Sequence, residues 1–491
     1  MSVSFSTLQM KARAQPIAAT AHAMRQALPM LPPTTVSRVD NGVRVVAEEN
    51  PVADFATIGA FFEVGTRTEK REQNGITRAV LSAALRATTN KNRAAMAQAI
   101  ENLGGHVAMN VGREHSYVLL KVHKSQVADG VAFLSDIIAN SDLSDEAVTA
   151  VKKQNIAARW EAEELVDEQT MDFMHIAGYD ATPNGGLGNS IFGTEEGIES
   201  LTPATMQTYR DTYFTGPATA IVGTGAVSHA ELETLAKQHF GGLSPADNKP
   251  KVQTRYVGGD MRLWQTRMKT AHCAWAVETC GRVSGDTTAL SLFSHVQGAY
   301  HRSQHELGIT AAHRIFKVYG SMDHGPTHFN MLPHECPEVI KAFHLAYEDT
   351  GLSGTYLVGR PFRAGYHSMQ SFSDLLHMQM LEYNRMASKV IHPQELDQAK
   401  ANYKSQLLFN MDGSTQSAID AASQVFHLGR RVPLSEMYER IDDITPTNMQ
   451  EVMGHYLGGK FPVFGMNGGF GQYMPGYDMI SRWTSHMLNN L

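Results

Sequence analysis

The period of the hydrophobic pattern changes along the chain, and these changes predict both strands and helices. Residues 35–47 alternate on either side of Asn41-Gly42, which indicates a hairpin. The apolar run 55–64 predicts a buried strand, and residues 76–88 carry an apolar stripe at helical spacing. Further strands are predicted on both sides of Gly112, at 271–277 and at 354–358, and further helices at 91–103, 125–140, 145–164 and 372–388. Strands and helices mix without strict alternation, which favours two-layer α+β units.

One segment of the chain occurs twice. Residues 199–208 (ESLTPATMQT) match residues 442–451 (DDITPTNMQE), with an offset of 243 residues in a chain of 491. Each copy continues through an aromatic residue (Tyr213 or Tyr456) into an apolar strand that ends in a glycine-containing turn. Solenoid repeats have periods of about 20–50 residues, so this offset indicates a duplicated domain. The polar, proline-containing segment ADNKPK at 246–251 is the predicted linker.

Composition excludes several classes of function. The net charge of −7 gives no basic field for binding nucleic acid. No apolar run reaches the roughly 18 residues that a bilayer-spanning helix needs, so we expect contact with a membrane only through partners. The odd number of cysteines (Cys273, Cys280, Cys336) and the lack of C-x-x-C spacing favour buried thiols in a reducing compartment.

The beginning of the chain is basic and lacks acidic residues. Its first 39 residues contain no Asp or Glu, where the chain average predicts about four. They carry Lys11, Arg13, Arg25 and Arg38, together with Ser2, Ser4 and Ser6. This composition is typical of a mitochondrial presequence. An unremarkable flexible tail is the alternative.

From residue 34 onward, a series of segments resembles the pitrilysin-type, zinc-dependent mitochondrial processing peptidase subunits and the related core proteins of mitochondrial complex III. The segments occur in the order that the family has, and EDTGLSG and MDGST are most similar to the peptidase β subunit and the first core protein. They are VDNGVRVVAEE (39–49), EVGTRTE (63–69), NLGGHVAMNVGREHSY (102–117), ATPNGGLGNSIFGTEEGIESLT (181–202), AHCAWAVE (271–278), EDTGLSGTY (348–356) and NMDGSTQS (410–417).

The resemblance implies an α+β fold of duplicated pitrilysin-like halves in a clam-shell arrangement, each half with two two-layer α+β domains. The expected organisation is a presequence-like arm at 1–34, a first half at 35–245 with a degenerate zinc site, a linker at 246–253, and a second half at 254–491.

The resemblance also locates the metal site of active family members. Their HxxEH motif puts two zinc-binding histidines on one helix face beside a glutamate that activates water. In NGITRAVLSAAL (74–85), the histidine positions hold Arg78 and Ser82, and the glutamate position holds Leu81. Arginine has no lone pair for a metal, and leucine cannot activate water. The distal acidic positions hold Ala158 and Val151, with Glu161, Glu163 and Glu164 nearby. We therefore expect no catalytic residue and no metal here.

Other candidate chemistry is weaker. His301 and His305 would share one face of a helix, with Glu306, His295 and His313 close in sequence, although a polar surface helix or loop is the ordinary interpretation. His324, His328 and His334 lie in a proline-containing loop and are expected on the surface or at subunit contacts. There is no G-x-G-x-x-G opening a helix and no G-x-S-x-G. The peptidase α subunit's glycine-rich loop is reduced in 296–310 to Gly298 and Gly308.

By resemblance, the expected function is that of a non-catalytic core subunit of mitochondrial ubiquinol–cytochrome c reductase, needed for assembly and stability of that complex. Its partners would be a second core subunit of similar fold and the membrane cytochrome and iron–sulfur subunits. It would lie peripherally on the matrix side of the inner membrane and hold no cofactor itself, with haem and iron–sulfur groups in its partners. The alternatives are a non-catalytic processing peptidase subunit and an active metallopeptidase using His301 and His305.

Overall fold

A computed structural model describes residues 32–180, 182–248, 252–301, 337–359, 368–457, 460–469, 474 and 476–488. Its strands are β1 (Thr34–Arg38), β2 (Arg44–Glu49), β3 (Phe55–Phe62), β4 (His106–Val111), β5 (Ser116–His123), β6 (Thr219–Gly225), β7 (Gly259–Trp264), β8 (Ala271–Cys280), β9 (Ala299–His301), β10 (Pro337–Ala346), β11 (Thr350–Gly359) and β12 (Val463–Gly468).

The first half contains the helices α1 (Ile76–Arg86), α2 (Arg93–Leu103), α3 (Val127–Ala139), α4 (Asp145–Ala162), α5 (Val166–Gly178), α6 (Glu195–Ser200), α7 (Pro203–Tyr213) and α8 (His229–Phe240). The second half contains α9 (Thr287–Gln297), α10 (Ser368–Ser388), α11 (Pro393–Asn410), α12 (Ser414–Leu428), α13 (Leu434–Asp442), α14 (Pro446–Leu457) and α15 (Tyr477–Leu488).

Local patterning accounts for most of these elements. The hairpin predicted at 35–47 is confirmed: β1 and β2 pair antiparallel, and Gly42 supplies the positive φ of +93° in the turn. The helix predicted at 91–103 is α2, which ends at Gly104 in the left-handed conformation, as a glycine stop requires. The strands predicted at 55–64, around Gly112, at 271–277 and at 354–358 are confirmed as well.

The two sheets are built on the same plan, which confirms the duplication. Their strand orders are β1-β2-β6-β3-β5-β4 and β7-β12-β8-β11-β10-β9. Strand β6 follows α7, and β12 follows α14, which are the helices that the Thr-Pro repeats begin. Both strands pair parallel with one neighbour and antiparallel with the other. In the described part of each half there is one six-stranded sheet, so helices and not a second sheet form its other layer.

One face of each sheet is covered by helices of its own half. In the first half, Ile58 and Leu120 of the sheet pack with α3 residues such as Leu134. In the second half, Trp275 and Leu357 pack with Phe293 of α9, and α10 and α14 extend the same core. Removal of this apolar surface from water is the main stabilising term, at about 25 cal/mol per Å².

The opposite face of each sheet is covered by a helix of the other half. Helix α12 carries Ala418, Ala421, Ala422, Val425 and Phe426 at helical spacing, and these side chains pack on Val46, Phe61, Leu119 and Val222 of the first sheet. Helix α5 lies on the second sheet, where Met174 packs with Ala274, Ala276 and Val463. We call this arrangement, in which each half contributes a helix to the other half's sheet, the exchange of α5 and α12. It holds the halves together, because each sheet needs a helix of the other half to cover its second face.

Small residues allow these close approaches. On the first sheet the helix supplies them, as the alanines of α12. On the second sheet the strand supplies one: a Cβ added at Gly465 of β12 would collide with the Thr170 carbonyl oxygen and the Met174 amide nitrogen of α5. Gly465 therefore fixes the distance between α5 and the sheet.

The predicted α+β fold of duplicated halves is thus confirmed, whereas the boundaries at 34, 245 and 253 stay predictions. The arm lies outside the described residues except for its last three, and so does the middle of the linker, 249–251. Among the helices that the structure describes, none combines the length and the apolar content needed to cross a bilayer.

Candidate functional site

Helix α1 carries the predicted degenerate zinc site. A buried carboxylate accepts hydrogen bonds from the backbone amides at its N-terminus. Glu69 is fully buried and accepts hydrogen bonds from Asn74 Nδ2 (2.7 Å), the Gly75 amide (2.7 Å) and the Thr77 amide (3.0 Å). These backbone N–H groups lie at the positive end of the helix, which a carboxylate stabilises. Burial raises the pKa of Glu69, and the three donors oppose that shift.

Three side chains of α1 occupy the predicted motif positions, and each is engaged in structure. Leu81 is only 1% exposed and belongs to the first-half core. Ser82 Oγ donates a hydrogen bond of 3.2 Å to Asn155 Oδ1 of α4. The Arg78 guanidinium donates to the Ile191 carbonyl oxygen (3.5 Å). Burial lowers the pKa of Arg78, while the nearby charges of Glu69 and Glu168 oppose the shift.

The side chain of α4 that meets this part of α1 is Asn155. Ala158, predicted as the distal position, is exposed, whereas Asn155 is buried and contacts Ser82. Val151 is buried. The nearby acids Glu161, Glu163 and Glu164 are exposed, and Glu163 pairs with Arg159 at 3.1 Å.

The contact between α1 and α4 therefore offers a serine hydroxyl, an amide and a guanidinium at the three polar positions. Guanidinium has no lone pair to give, and a single amide and hydroxyl oxygen do not form the N/S or carboxylate set that zinc prefers. Within the described part of the chain, Arg78 Nε and Asn155 Nδ2 are buried without a hydrogen-bond partner. These contacts pack α1 against α4 in the first half.

Of the alternative histidine pair, only His301 is among the described residues, and it lies on a strand. His301 ends strand β9, while His305, Glu306 and His313 lie outside the described residues, as do His324, His328 and His334. His295 is on α9, where its Nε2 is 2.6 Å from Gln406 Oε1. The two cysteines within the described ranges, Cys273 and Cys280, are free thiols, and burial raises the pKa of Cys273 to about 12, which disfavours the reactive thiolate.

A network of charged side chains joins the two halves at the edge of this region. Arg67 donates to Glu114 (2.7 Å) in its own half, to Asp349 (2.6 Å) in the second half, and to the carbonyl oxygen of Val252 (2.8 Å) in the predicted linker. Arg67 and Glu114 are shielded from water, which makes their charge-assisted bond stronger than a surface ion pair, whereas the side chain of Asp349 is 40% exposed. Arg67 thus ties together the three parts of the chain.

A second set of contacts fixes helix α5 in the interface. Arg113 donates to Asp172 Oδ1 (2.7 Å) on α5 and to the Asn189 carbonyl oxygen (2.7 Å), and Asp172 also accepts from Ser190 Oγ (2.6 Å). Both Arg113 and Asp172 are buried, so either one alone would be an unpaired buried charge.

Sequence reasoning did not assign a role to Asn155, Arg67, Arg113 or Asp172. A signal was present for Asn155, which is a polar residue on the buried stripe of an amphipathic helix. The charged residues of EVGTRTE and GREHSY stand beside glycines in turns, where exposed charge is common. Their partners are distant in the chain, and those of Arg67 include the linker and the second half, which no local pattern reveals.

Two protein-family models match parts of the chain. Insulinase (Peptidase family M16) matches residues 44–195, and the Peptidase M16 inactive domain matches residues 200–403. The ubiquinol-cytochrome-c reductase complex core protein I of Euglena gracilis is 30% identical over 424 residues, covering 86% of this chain and 84% of that protein. The mitochondrial-processing peptidase subunit beta of Blastocladiella emersonii is also 30% identical, over 432 residues, covering 88% of each.

A chain of complex III2 from Candida albicans, solved with Inz-5 bound, shares the fold. It superposes with a TM-score of 0.78 and covers 92% of this chain and 99% of its own length at 18% identity.

Proposed function

The chain belongs to peptidase family M16, and on that premise we propose that it is a non-catalytic core subunit of mitochondrial ubiquinol–cytochrome c reductase. The observation that carries the proposal is the state of α1: its motif positions hold Arg78, Leu81 and Ser82, with Leu81 in the core and Ser82 bonded to α4. The similarity to the Euglena core protein over 84% of that protein's length supports the same role.

In this role the chain supports other subunits structurally and catalyses no reaction. The exchange of α5 and α12 makes the two halves one interlocked body, which suits a subunit that supports others. Its partners would be a second core subunit of similar fold and the membrane cytochrome and iron–sulfur subunits, which hold the haem and iron–sulfur groups. It would lie on the matrix side of the inner membrane.

A second candidate, a non-catalytic subunit of the mitochondrial processing peptidase, is favoured by the similarity to the Blastocladiella β subunit. The net charge of −7 would suit basic presequences. The region 296–310 contains only Gly298 and Gly308, so it lacks the glycine-rich loop expected of an α-type subunit.

Isolation of the native assembly separates the two candidates. Mitochondrial membranes are solubilised in mild detergent, and the chain is captured with an antibody and sedimented. We expect it in an assembly whose absorption spectrum shows b- and c-type haem. Sedimentation in a haem-free complex that cleaves a presequence peptide would overturn the core-subunit proposal and support the peptidase role.

A further inference from the structure

Three side chains with metal-binding atoms converge where the halves meet, away from α1. Glu114 and His115 lie in the turn between β4 and β5, and His427 is in the last turn of α12. One ligand atom of each lies within 4.8 Å of the other two. His115 Nε2 is 2.8 Å from His427 Nε2, and that same nitrogen of His427 is 3.8 Å from Glu114 Oε2.

These atoms are the donors that divalent transition-metal ions prefer. Two imidazole nitrogens and a carboxylate oxygen form a common Zn²⁺ set, completed by water. Two nitrogens bound to one tetrahedral ion at about 2.0–2.1 Å stand about 3.3 Å apart. The imidazoles of His115 and His427 would have to separate by only about half an ångström to reach that spacing. Without an ion, one ring can donate an N–H to the other.

The surroundings orient the ligands. Glu114 Oε1 accepts from Arg67 (2.7 Å) and from the Glu348 amide (2.9 Å), which leaves Oε2 on the side of His427. The ring of His115 stacks on Phe426, with centroids 5.2 Å apart and planes at 18°. Hydrogen bonds and packing that fix ligand orientation in this way are characteristic of metal sites.

The site is accessible. A cavity of about 230 Å³ lies against it, lined by Glu114, His115 and Phe426 and by Arg282 and Ser423 of the second half. It gives an ion a route of entry and leaves room for a bound water as the remaining ligand. The positive charges of Arg67 and Arg282 close by oppose a cation, so the affinity must come mainly from the two imidazoles.

We propose that Glu114, His115 and His427 bind one divalent transition-metal ion of the Zn²⁺ class and that this ion links the β4–β5 turn of the first half to α12 of the second. The ligands come from both halves, so binding requires the two halves to pack against each other as they do in this structure. Ion binding to the folded protein therefore stabilises that arrangement.

The test uses the full-length chain without an affinity tag, freed of metal by a chelator and dialysed against ZnCl2. We expect one tightly held ion per chain by metal analysis, and a rise in Tm on adding Zn²⁺. His427→Ala and His115→Ala should each lose that ion and that rise. The matched control is His106→Ala, which removes an exposed histidine at the start of β4 and should behave as wild type.

Two results would overturn the proposal. The first is retention of the same ion by His427→Ala, which would place it on other histidines, including the pair His301 and His305. The second comes from Co²⁺ added to the metal-free wild type, which needs no variant to fold. Intense visible ligand-field bands of a low-symmetry cobalt site are expected, and a spectrum of aqueous Co²⁺ only would exclude the site.

Discussion

The buried His175 of the first half and Tyr347 of the second half share a hydrogen bond in which His175 Nε2 and the Tyr347 hydroxyl oxygen are 2.6 Å apart. His175 Nδ1 is 2.7 Å from the Met171 carbonyl oxygen, which can only accept, so Nδ1 carries the proton. Nε2 is therefore the acceptor, and Tyr347 donates. The neutral imidazole thus connects α5 to the loop between β10 and β11.

The first prediction concerns this bond. Tyr347→Phe removes the donor and leaves His175 Nε2 buried without a partner, which costs about 1–3 kcal/mol. We expect a lower Tm and faster amide hydrogen exchange in α5. Tyr213→Phe, a half-buried tyrosine of α7 within the first half, is the control and should change α5 exchange little. Equal protection of α5 in wild type and Tyr347→Phe would show that the bond does not hold the helix.

The second prediction is a loss of stability in mild acid. Burial, reinforced by the charge of Arg113, holds the pKa of His175 well below its ordinary value. The unfolded chain therefore takes up a proton near pH 6.5, whereas the folded chain does not. Stability is fully present above that pH and declines as the pH falls, at up to about 1.4 kcal/mol per pH unit for one proton.

His175→Gln, which can still accept from Tyr347, should reduce that decline when Tm is followed from about pH 7 to about pH 5, below which carboxylates also begin to titrate. His344→Gln should act in the same direction, because burial lowers the pKa of His344 to about 4. The exposed His106 is the control, and His106→Gln should keep the wild-type profile. A profile of His175→Gln that superposes on that of wild type would contradict this account.

The parts of the structure that could be predicted are those that depend on neighbours in the chain. The stripe on residues 76–88 and the Asn41-Gly42 turn determine α1 and the first hairpin, because burial on one face and a positive φ are local requirements. The exchange of helices was not predictable in this way. The alanine stripe of α12 shows that one face is buried but does not say against which sheet.

The candidate site shows the same division. Arg78, Leu81 and Ser82 could be located because the motif lies within one helix. The distal position depends on how α4 packs against α1, where Asn155 is buried and Ala158 is exposed, so its assignment to Ala158 stays a prediction. The ion pairs of Arg67 with Asp349 and of Arg113 with Asp172 join residues more than 50 positions apart in the chain.

The third prediction concerns the packing of α5 against the second sheet. Gly465→Ala places a Cβ against the backbone of Thr170 and Met174, which cannot yield as a flexible side chain would. We expect a loss of about 1–3 kcal/mol or more, as for overpacking of a core, measured as a fall in Tm. Gly454→Ala is the matched control.

Gly454 lies within α14, where the nearest atom to an added Cβ is the Ala387 carbonyl oxygen at 3.7 Å, an ordinary contact. Alanine is also favoured over glycine in a helix by about 1 kcal/mol. The control should therefore leave Tm unchanged or raise it. If both variants behave alike, the proximity of α5 to β12 is not what makes Gly465 necessary.

The fourth prediction is that restoring the family motif on α1 does not restore a peptidase. The variant carries Arg78→His, Leu81→Glu and Ser82→His. We expect no cleavage of a presequence peptide with added Zn²⁺, because the residue of α4 that faces position 82 is Asn155, which offers no carboxylate. The glutamate at position 81 would also enter the first-half core, where Leu81 is 1% exposed, and should lower Tm.

Leu81→Met is the control for that second effect, since a hydrophobic side chain of similar volume costs less than about 1.5 kcal/mol. Adding Asn155→Glu to the triple variant tests whether the distal acid is the missing ligand, and zinc retention gives a readout that does not depend on turnover. Cleavage by the triple variant alone would mean that the first half still holds a carboxylate within reach of the restored histidines. That result would place the distal ligand elsewhere than on the face of α4 that Asn155 occupies.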